Sequence, residues 1–416
     1  MIDYSRYTLD NGLRVLVHED RSTPLVAMNI LYYAGSRDEE PGLTGLAHLF
    51  EHLMFGGTAR IPDFDRHLLL AGGENNAFTN TDITDYYVTL PAENIETVFW
   101  LESDRMNLLD FSQRNLDIQK KVIIEEFNQR YLNQPYGDAM LLLRPLVYKI
   151  HPYRWPTIGM DISHIMNADQ EKVREFFFSH YTPNNSILTL TGNITCGRGI
   201  SLSEKWFGKI EKRAVKSKTF PSEPVQTEAR VLTVEREVPA DALYMAWHTG
   251  PRTSDDFYTL DLLTDILSGG ESGRLYTKLV RQKKLFSEIN AYVTSDIDPG
   301  LIILYGKLMK DVDIRHAEES VYEVIDTLKH SCSPRREMEK VRNRYESSNV
   351  FTNTNILNKA MNLAFFELIG NPGLINNEVD IYKKIDSMMV TEAARKYLDP
   401  SNCSTLYYKS AGKRQK

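Results

Sequence analysis

The chain has 416 residues, 42% apolar and 25% charged, a balance that excludes intrinsic disorder and fibrous repeats. With 49 Lys and Arg against 56 Asp and Glu, its net charge of −7 argues against nucleic acid or an anionic membrane as the main partner. Cys196, Cys332 and Cys403 offer neither metal-ligand spacing nor a disulfide framework, and no apolar run reaches the roughly 18 residues that a membrane span needs.

The first six residues lack a basic region followed by an apolar stretch, so a cytoplasmic location is expected. Leu13 to Val17 alternates after the turn dipeptide Asn11-Gly12 and reads as a strand, as does Val26 to Tyr33. Leu43 to Phe55 has helical spacing and stops at Gly56-Gly57. Tyr86 to Leu90 is a further strand. Glu93 to Met106 and Leu116 to Leu132 carry long helical patterns, and Ser186 to Thr191 is a short apolar strand. Glu211 to Pro224 is polar, aperiodic and holds two prolines. It predicts a linker over 213–224 between domains at 1–212 and 225–416. Beyond it the pattern restarts, with strands over Val231–Val238 and Ala242–His248 and a helix over Phe257–Leu267 that again meets a Gly-Gly pair. The tail Lys409 to Lys416 reads as a frayed terminus.

The restart looks like a repeat. With Gly56-Gly57 set on Gly269-Gly270, Leu49, Phe50 and Leu53 find apolar partners, while His48, Glu51 and His52 fall on Asp261, Thr264 and Asp265. Two halves of similar order, one carrying a polar triplet that the other lacks, predict a duplication with loss of a site.

That triplet, His48-Leu49-Phe50-Glu51-His52, decides the functional reading. Helix positions i, i+3 and i+4 share a face, with Cβ atoms about 5–6 Å apart. Two imidazoles so placed can converge on one ion, with Zn–N near roughly 2.0–2.1 Å. The order H-x-x-E-H is the inverzincin signature. Leu46, Leu49, Phe50, Leu53 and Met54 make the helix largely apolar, and a polar triplet there is costly unless a metal satisfies it. Zinc needs a third protein ligand, leaving its fourth position for water. On the pattern Leu116 to Leu132, Glu126 falls with Val122, Ile123 and Phe127 on the apolar stripe, and Glu125 points toward solvent with Lys121 and Gln129. Glu126 is the better ligand. Two imidazoles and a carboxylate favour zinc, one ion per chain.

The chain resembles the pitrilysin, insulysin and mitochondrial processing peptidase family of inverzincin metallopeptidases over nearly its whole length. The resemblance is carried by Tyr7 to Leu13, by Gly42 to Thr58, by Asn76-Ala77-Phe78-Thr79 followed by Tyr86-Tyr87, and by Val122 to Glu126. It extends through His151-Pro152-Tyr153, Tyr181 to Asn185, and Ser268 to Tyr276, which resembles the start of the family's long second-domain helix. It implies an α+β fold: two homologous α/β domains, each a mainly antiparallel sheet packed with helices, together half of a clamshell chamber. It also implies a zinc endopeptidase. His48, His52 and Glu126 would hold the metal and Glu51 would be the catalytic base. Asn76, Ala77 and Phe78 would form an edge strand that binds extended peptide. Two departures stand out. A glutamate that the family often places seven residues before the distal ligand is here Gln119, which brings no charge. The family's arginine, followed seven residues later by a tyrosine, meets Arg281 but then Glu288, so either Tyr292 substitutes or another subunit supplies the tyrosine. Because the family's chamber has four domains and this chain has two, a dimer is implied, with itself or with a zinc-less homologous subunit. A non-catalytic structural or peptide-binding subunit is the alternative.

Overall fold

The structure is a computed structural model that describes residues 1–215 and 218–411. Among these residues, eleven strands make two mixed, mainly antiparallel sheets. The first holds β1 (Ser5–Thr8), β2 (Arg14–Glu19), β3 (Leu25–Tyr32), β4 (Glu74–Thr79), β5 (Thr84–Pro91) and β6 (Ser186–Gly192), in the order β1-β2-β6-β3-β5-β4. The second holds β7 (Arg230–Arg236), β8 (Ala242–His248), β9 (Phe286–Val293), β10 (Leu301–Leu308) and β11 (Cys403–Ser410), in the order β7-β11-β8-β10-β9.

The two sheets share one plan. Without β1, the first reads β2-β6-β3-β5-β4, and each strand has a counterpart of the same rank and direction in the second. The single parallel pair in each is the first, β2 with β6 and β7 with β11. Register agrees as well. One row across the first sheet runs Arg14, Ile187, Leu31, Asp85, Phe78. The matching row of the second runs Arg230, Ser404, Ala246, Ile303, Tyr292. A one-residue slip would turn every side chain to the wrong face, so agreement across five strands marks a duplicated domain.

The sheets fall on either side of residues 213–224, but the compact units are not the two linear halves. One unit comprises 1–127, 155–220 and 350–377, the other 128–154, 221–349 and 378–416. Helix Ile356–Leu368 packs on β3 and β6 through Ala360, Leu363 and Ala364, all fully buried. Helix Ala139–Val147 packs on β8 and β11, joining Leu143 and Val147 to Ala246 and Leu406. The boundaries expected at 1–212 and 225–416 thus miss two helical segments whose apolar faces are buried on the sheet of the other half. Described residues of the expected linker are held by contacts. Lys218 donates to Asp38 and to the Tyr33 carbonyl, and Glu223 accepts from the N–H groups of Lys149, Ile150 and His151.

Local differences have local causes. The helix expected from Leu43 starts at Leu46, because Gly45 takes φ 94° and turns the chain. The pattern over Leu116–Leu132 is an α-helix over Gln113–Phe127 followed by a π-helical turn, Asn128–Leu132. Val122 is 43% exposed, so it does not belong to the buried stripe. The long helix expected after Ser268 is absent: Gly270–Ser272 is a 3-10 turn and Tyr276–Gln282 is π-helical. In the tail, Lys409 and Ser410 end β11, while residues 412–416 lie outside the described residues. Among the described residues no helix is long and apolar enough to cross a membrane.

Candidate metal centre

The histidine-bearing helix, Leu46–Phe55, buries Leu46, Leu49, Phe50, Leu53 and Met54. Its start is fixed by Glu39, whose carboxylate accepts from the N–H groups of Gly45 and Ala47, each at 2.8 Å. Burial pushes the Glu39 carboxyl well above its usual range, against the pull of those N–H bonds. The chain ahead of it is pinned too. Arg37 pairs with Asp82 at 2.7 Å with both side chains buried, and Trp155 donates its indole N–H to the Ser36 carbonyl at 2.7 Å.

With the helix so held, His48 and His52 project toward Glu126 on the neighbouring helix Gln113–Phe127. Their Nε2 atoms lie 3.6 and 3.3 Å from Glu126 Oε2. The imidazoles stand edge to face, with centroids 4.8 Å apart. One donor atom from each residue falls within 4.8 Å of the other two, the only such trio of histidine, cysteine or acidic side chains among the described residues. Donors about 2.0–2.1 Å from a shared tetrahedral ion stand roughly 3.3 Å apart, so the separations to Glu126 suit a zinc ion. Two imidazoles and a carboxylate are also its usual ligands.

Glu51, half-buried on the same helix, accepts a hydrogen bond from Thr79 Oγ1 at 2.6 Å. Glu125 is exposed, whereas Gln119 is half-buried two turns before Glu126 on the same helix. Asn76, Ala77 and Phe78 lie on β4, which among the described residues pairs only with β5 and so ends the sheet with one ladder open. Ala77 is buried, Phe78 half-buried and Asn76 exposed, its Oδ1 accepting from the Ala77 N–H. Arg281 belongs to the second unit, exposed on the π-helical segment. Glu288, on β9, pairs with Lys307 at 3.0 Å. Tyr292 is on β9, 42% exposed, its hydroxyl pKa raised by partial burial.

In the second unit the helix that matches the histidine helix is Phe257–Ser268. There Asp261 accepts from the Tyr382 hydroxyl at 2.6 Å, and Asp265 pairs with Arg344 at 2.9 Å. These carboxylates are spent on protein partners. The residues that reading the chain missed are Glu39 and Thr79. The signal for Thr79 was available: β9 repeats β4, with Glu288, Asn290, Ala291 and Tyr292 over Glu74, Asn76, Ala77 and Phe78, but with Val293 over Thr79.

Comparison with known proteins agrees with this architecture. The sequence profile described as Insulinase (Peptidase family M16) matches residues 14–143, which contain the whole candidate centre. That of the Peptidase M16 inactive domain matches residues 167–345. The chain belongs to peptidase family M16. Among relatives, the zinc protease PqqE of Helicobacter pylori is 27% identical over 80% of this chain and 77% of its own. A Bacillus subtilis protein described as the uncharacterized zinc protease YmxG is 27% identical over 82% of this chain and 83% of its own. Among solved structures, a protease from Helicobacter pylori superposes with a TM-score of 0.92 at 23% identity, covering 98% of this chain and all of that one. Pitrilysin superposes with a TM-score of 0.75 at 16% identity, covering 98% of this chain and 45% of that one. These two likenesses speak for the M16 fold. Relatives named as zinc proteases place the chain in a family of metal-dependent peptidases.

Proposed function

We propose that the chain is a zinc-dependent endopeptidase that cleaves extended or unfolded peptides. The observation that carries this reading is the convergence of His48, His52 and Glu126 with Glu51 on the same helix. His48, His52 and Glu126 would hold the ion, which when bound supplies a positive charge that acidifies a water and polarises a carbonyl. Glu51 takes the proton of the attacking water on its carboxylate and returns it to the departing amine. The open ladder of β4 accepts the peptide main chain as an added strand, which fixes the scissile bond while reading little of its sequence. Arg281 would grip substrate, and Tyr292 or a partner's tyrosine would stabilise the oxyanion. We place the chain as half of a closed chamber completed by a dimer. The Glu288 departure favours a zinc-less homologous partner over a second copy.

The match of residues 167–345 to an inactive domain keeps a second reading, a non-catalytic or peptide-binding subunit. The deciding experiment is cleavage of quenched peptides by the purified chain, with and without chelator, beside Glu51→Gln. The peptidase reading expects chelator-sensitive cleavage that the variant lacks while still binding zinc. Stoichiometric zinc without cleavage, even with a homologous subunit added, would favour the second reading.

A further inference from the structure

Thr79 donates from Oγ1 to Glu51 Oε2 at 2.6 Å. It is the last residue of β4, and the turn that follows is clamped. The N–H groups of Ser36 and Arg37 donate to the carbonyls of Asn80 and Thr81 at 3.1 and 3.0 Å. Arg37 pairs with Asp82 inside the protein, and Asn80 Oδ1 accepts from the N–H groups of Asp82 and Ile83 at 2.8 and 2.9 Å. The hydroxyl therefore sits on a rigid support, whereas the Glu51 side chain has three rotatable bonds. A threonine so anchored can hold one carboxylate oxygen and thereby set the direction of the other.

The second unit provides an internal control. By sheet register Thr79 lies over Val293: Thr79 pairs with Thr84 and, beyond it, Tyr32, where Val293 pairs with Ile302 and then Trp247. Glu51 lies over Thr264. The strand around this position is kept, with glutamate, asparagine, alanine and an aromatic residue at the same places. The hydroxyl is lost together with the carboxylate it serves and the two histidines. Valine has the shape of threonine and fills the strand equally well, so the strand alone does not require the hydroxyl.

We propose that Thr79 is a positioning residue for Glu51, orienting its carboxylate and tying it to the end of the strand whose edge takes the peptide. This rests on the reading of Glu51 as the group that moves the proton. The test compares zinc-loaded full chains carrying Thr79→Val, Thr79→Ser and Glu51→Gln. Thr79→Val is expected to lower kcat about tenfold to a hundredfold with KM unchanged and zinc content intact, because a misplacement near 1 Å can cost about 100-fold. Thr79→Ser restores the donor and most of kcat. Thr79→Val adds nothing to the loss in Glu51→Gln. A readout independent of turnover is the glutamate 13Cδ resonance of Glu51, identified by its absence in Glu51→Gln. It moves in Thr79→Val and stays in place in Thr79→Ser. An unchanged resonance in Thr79→Val, a loss confined to KM, a loss of zinc, or no rescue by serine would each overturn the proposal. If Glu51→Gln kept full activity, the reading of Glu51 would fail first, and that is visible separately.

Discussion

Glu125 and Glu126 are adjacent in sequence and differ only in where helix Gln113–Phe127 turns them. Glu126 lies 3.3 Å from His52, while Glu125 is exposed. Glu126→Ala is therefore expected to abolish stoichiometric zinc binding, measured by metal analysis after dialysis, and Glu125→Ala to leave it unchanged. Equal zinc in both variants would refute the assigned ligand. The choice between them was legible because 3.6-residue periodicity puts Glu126 near Ile123 and Phe127, both buried. Helical spacing also brought out His48, Glu51 and His52. Glu39 and Thr79 were not legible in this way, because each acts across a loop or between strand and helix, where no fixed sequence spacing signals contact. Glu39→Ala would leave the buried N–H groups of Gly45 and Ala47 without their acceptor at the head of the histidine helix. An unpaired buried donor costs about 1–3 kcal/mol, so this variant should unfold at distinctly lower denaturant while Glu40→Ala, at an exposed position, does not.

At the scale of elements, helix Ile356–Leu368 is the clearest failure of sequence reading. Its residues show an apolar face, but nothing in linear order says which sheet receives it. The structure shows how it is held. Lys359 pairs with Asp20 at 2.7 Å, and Glu367, fully buried, accepts from Arg6 at 2.7 Å and lies 3.4 Å from Arg14. The hydrogen bond from Lys359 holds the Asp20 carboxyl well below the usual carboxylate range. A carboxyl depressed in the folded state binds fewer protons than in the unfolded chain. Its contribution is thus present above the unfolded value of roughly 3.9 and lost as pH falls through the folded one. Asp20→Asn should cost about 1–2 kcal/mol near pH 7 and progressively less below pH 4, measured by urea denaturation of both proteins across that range. A deficit that stays constant with pH would show that the ion pair is not its source. Strand positions were easier to read than helix docking, since Ala242–His248 and the Tyr86–Leu90 core of β5 alternate or run apolar between turn residues.

At the scale of the whole molecule, duplication gives the chain two copies of one framework and, among the described residues, only one trio of side chains fit to hold a metal. The Gly-Gly stops made this visible in the sequence, and the shared strand register made it unambiguous. The sequence does not reveal what replaced the ligands, because Tyr382 and Arg344 lie 121 and 79 positions beyond the aspartates they contact. In each unit the fifth strand in rank pairs with a hairpin partner that leads into two successive helices, Ile95–Asn107 and Gln113–Phe127 in the first, Ile314–His330 and Arg335–Thr352 in the second. Glu126 comes from the second helix of the first pair, Arg344 from the second helix of the other. A cation thus stands on the element that would have to supply the third ligand. Restoring the motif with Asp261→His, Thr264→Glu and Asp265→His would set an imidazole at position 265 against the Arg344 guanidinium. Zinc binding needs three protein ligands in register, so the triple variant should still bind one zinc per chain, counted by metal analysis after reloading. Metal removal should destabilise the variant and the parent alike, by about 2.7 kcal/mol where free zinc had stood at 100 times its Kd. Two zinc ions per chain in the triple variant would show that the second unit kept its site geometry and lost only its ligands.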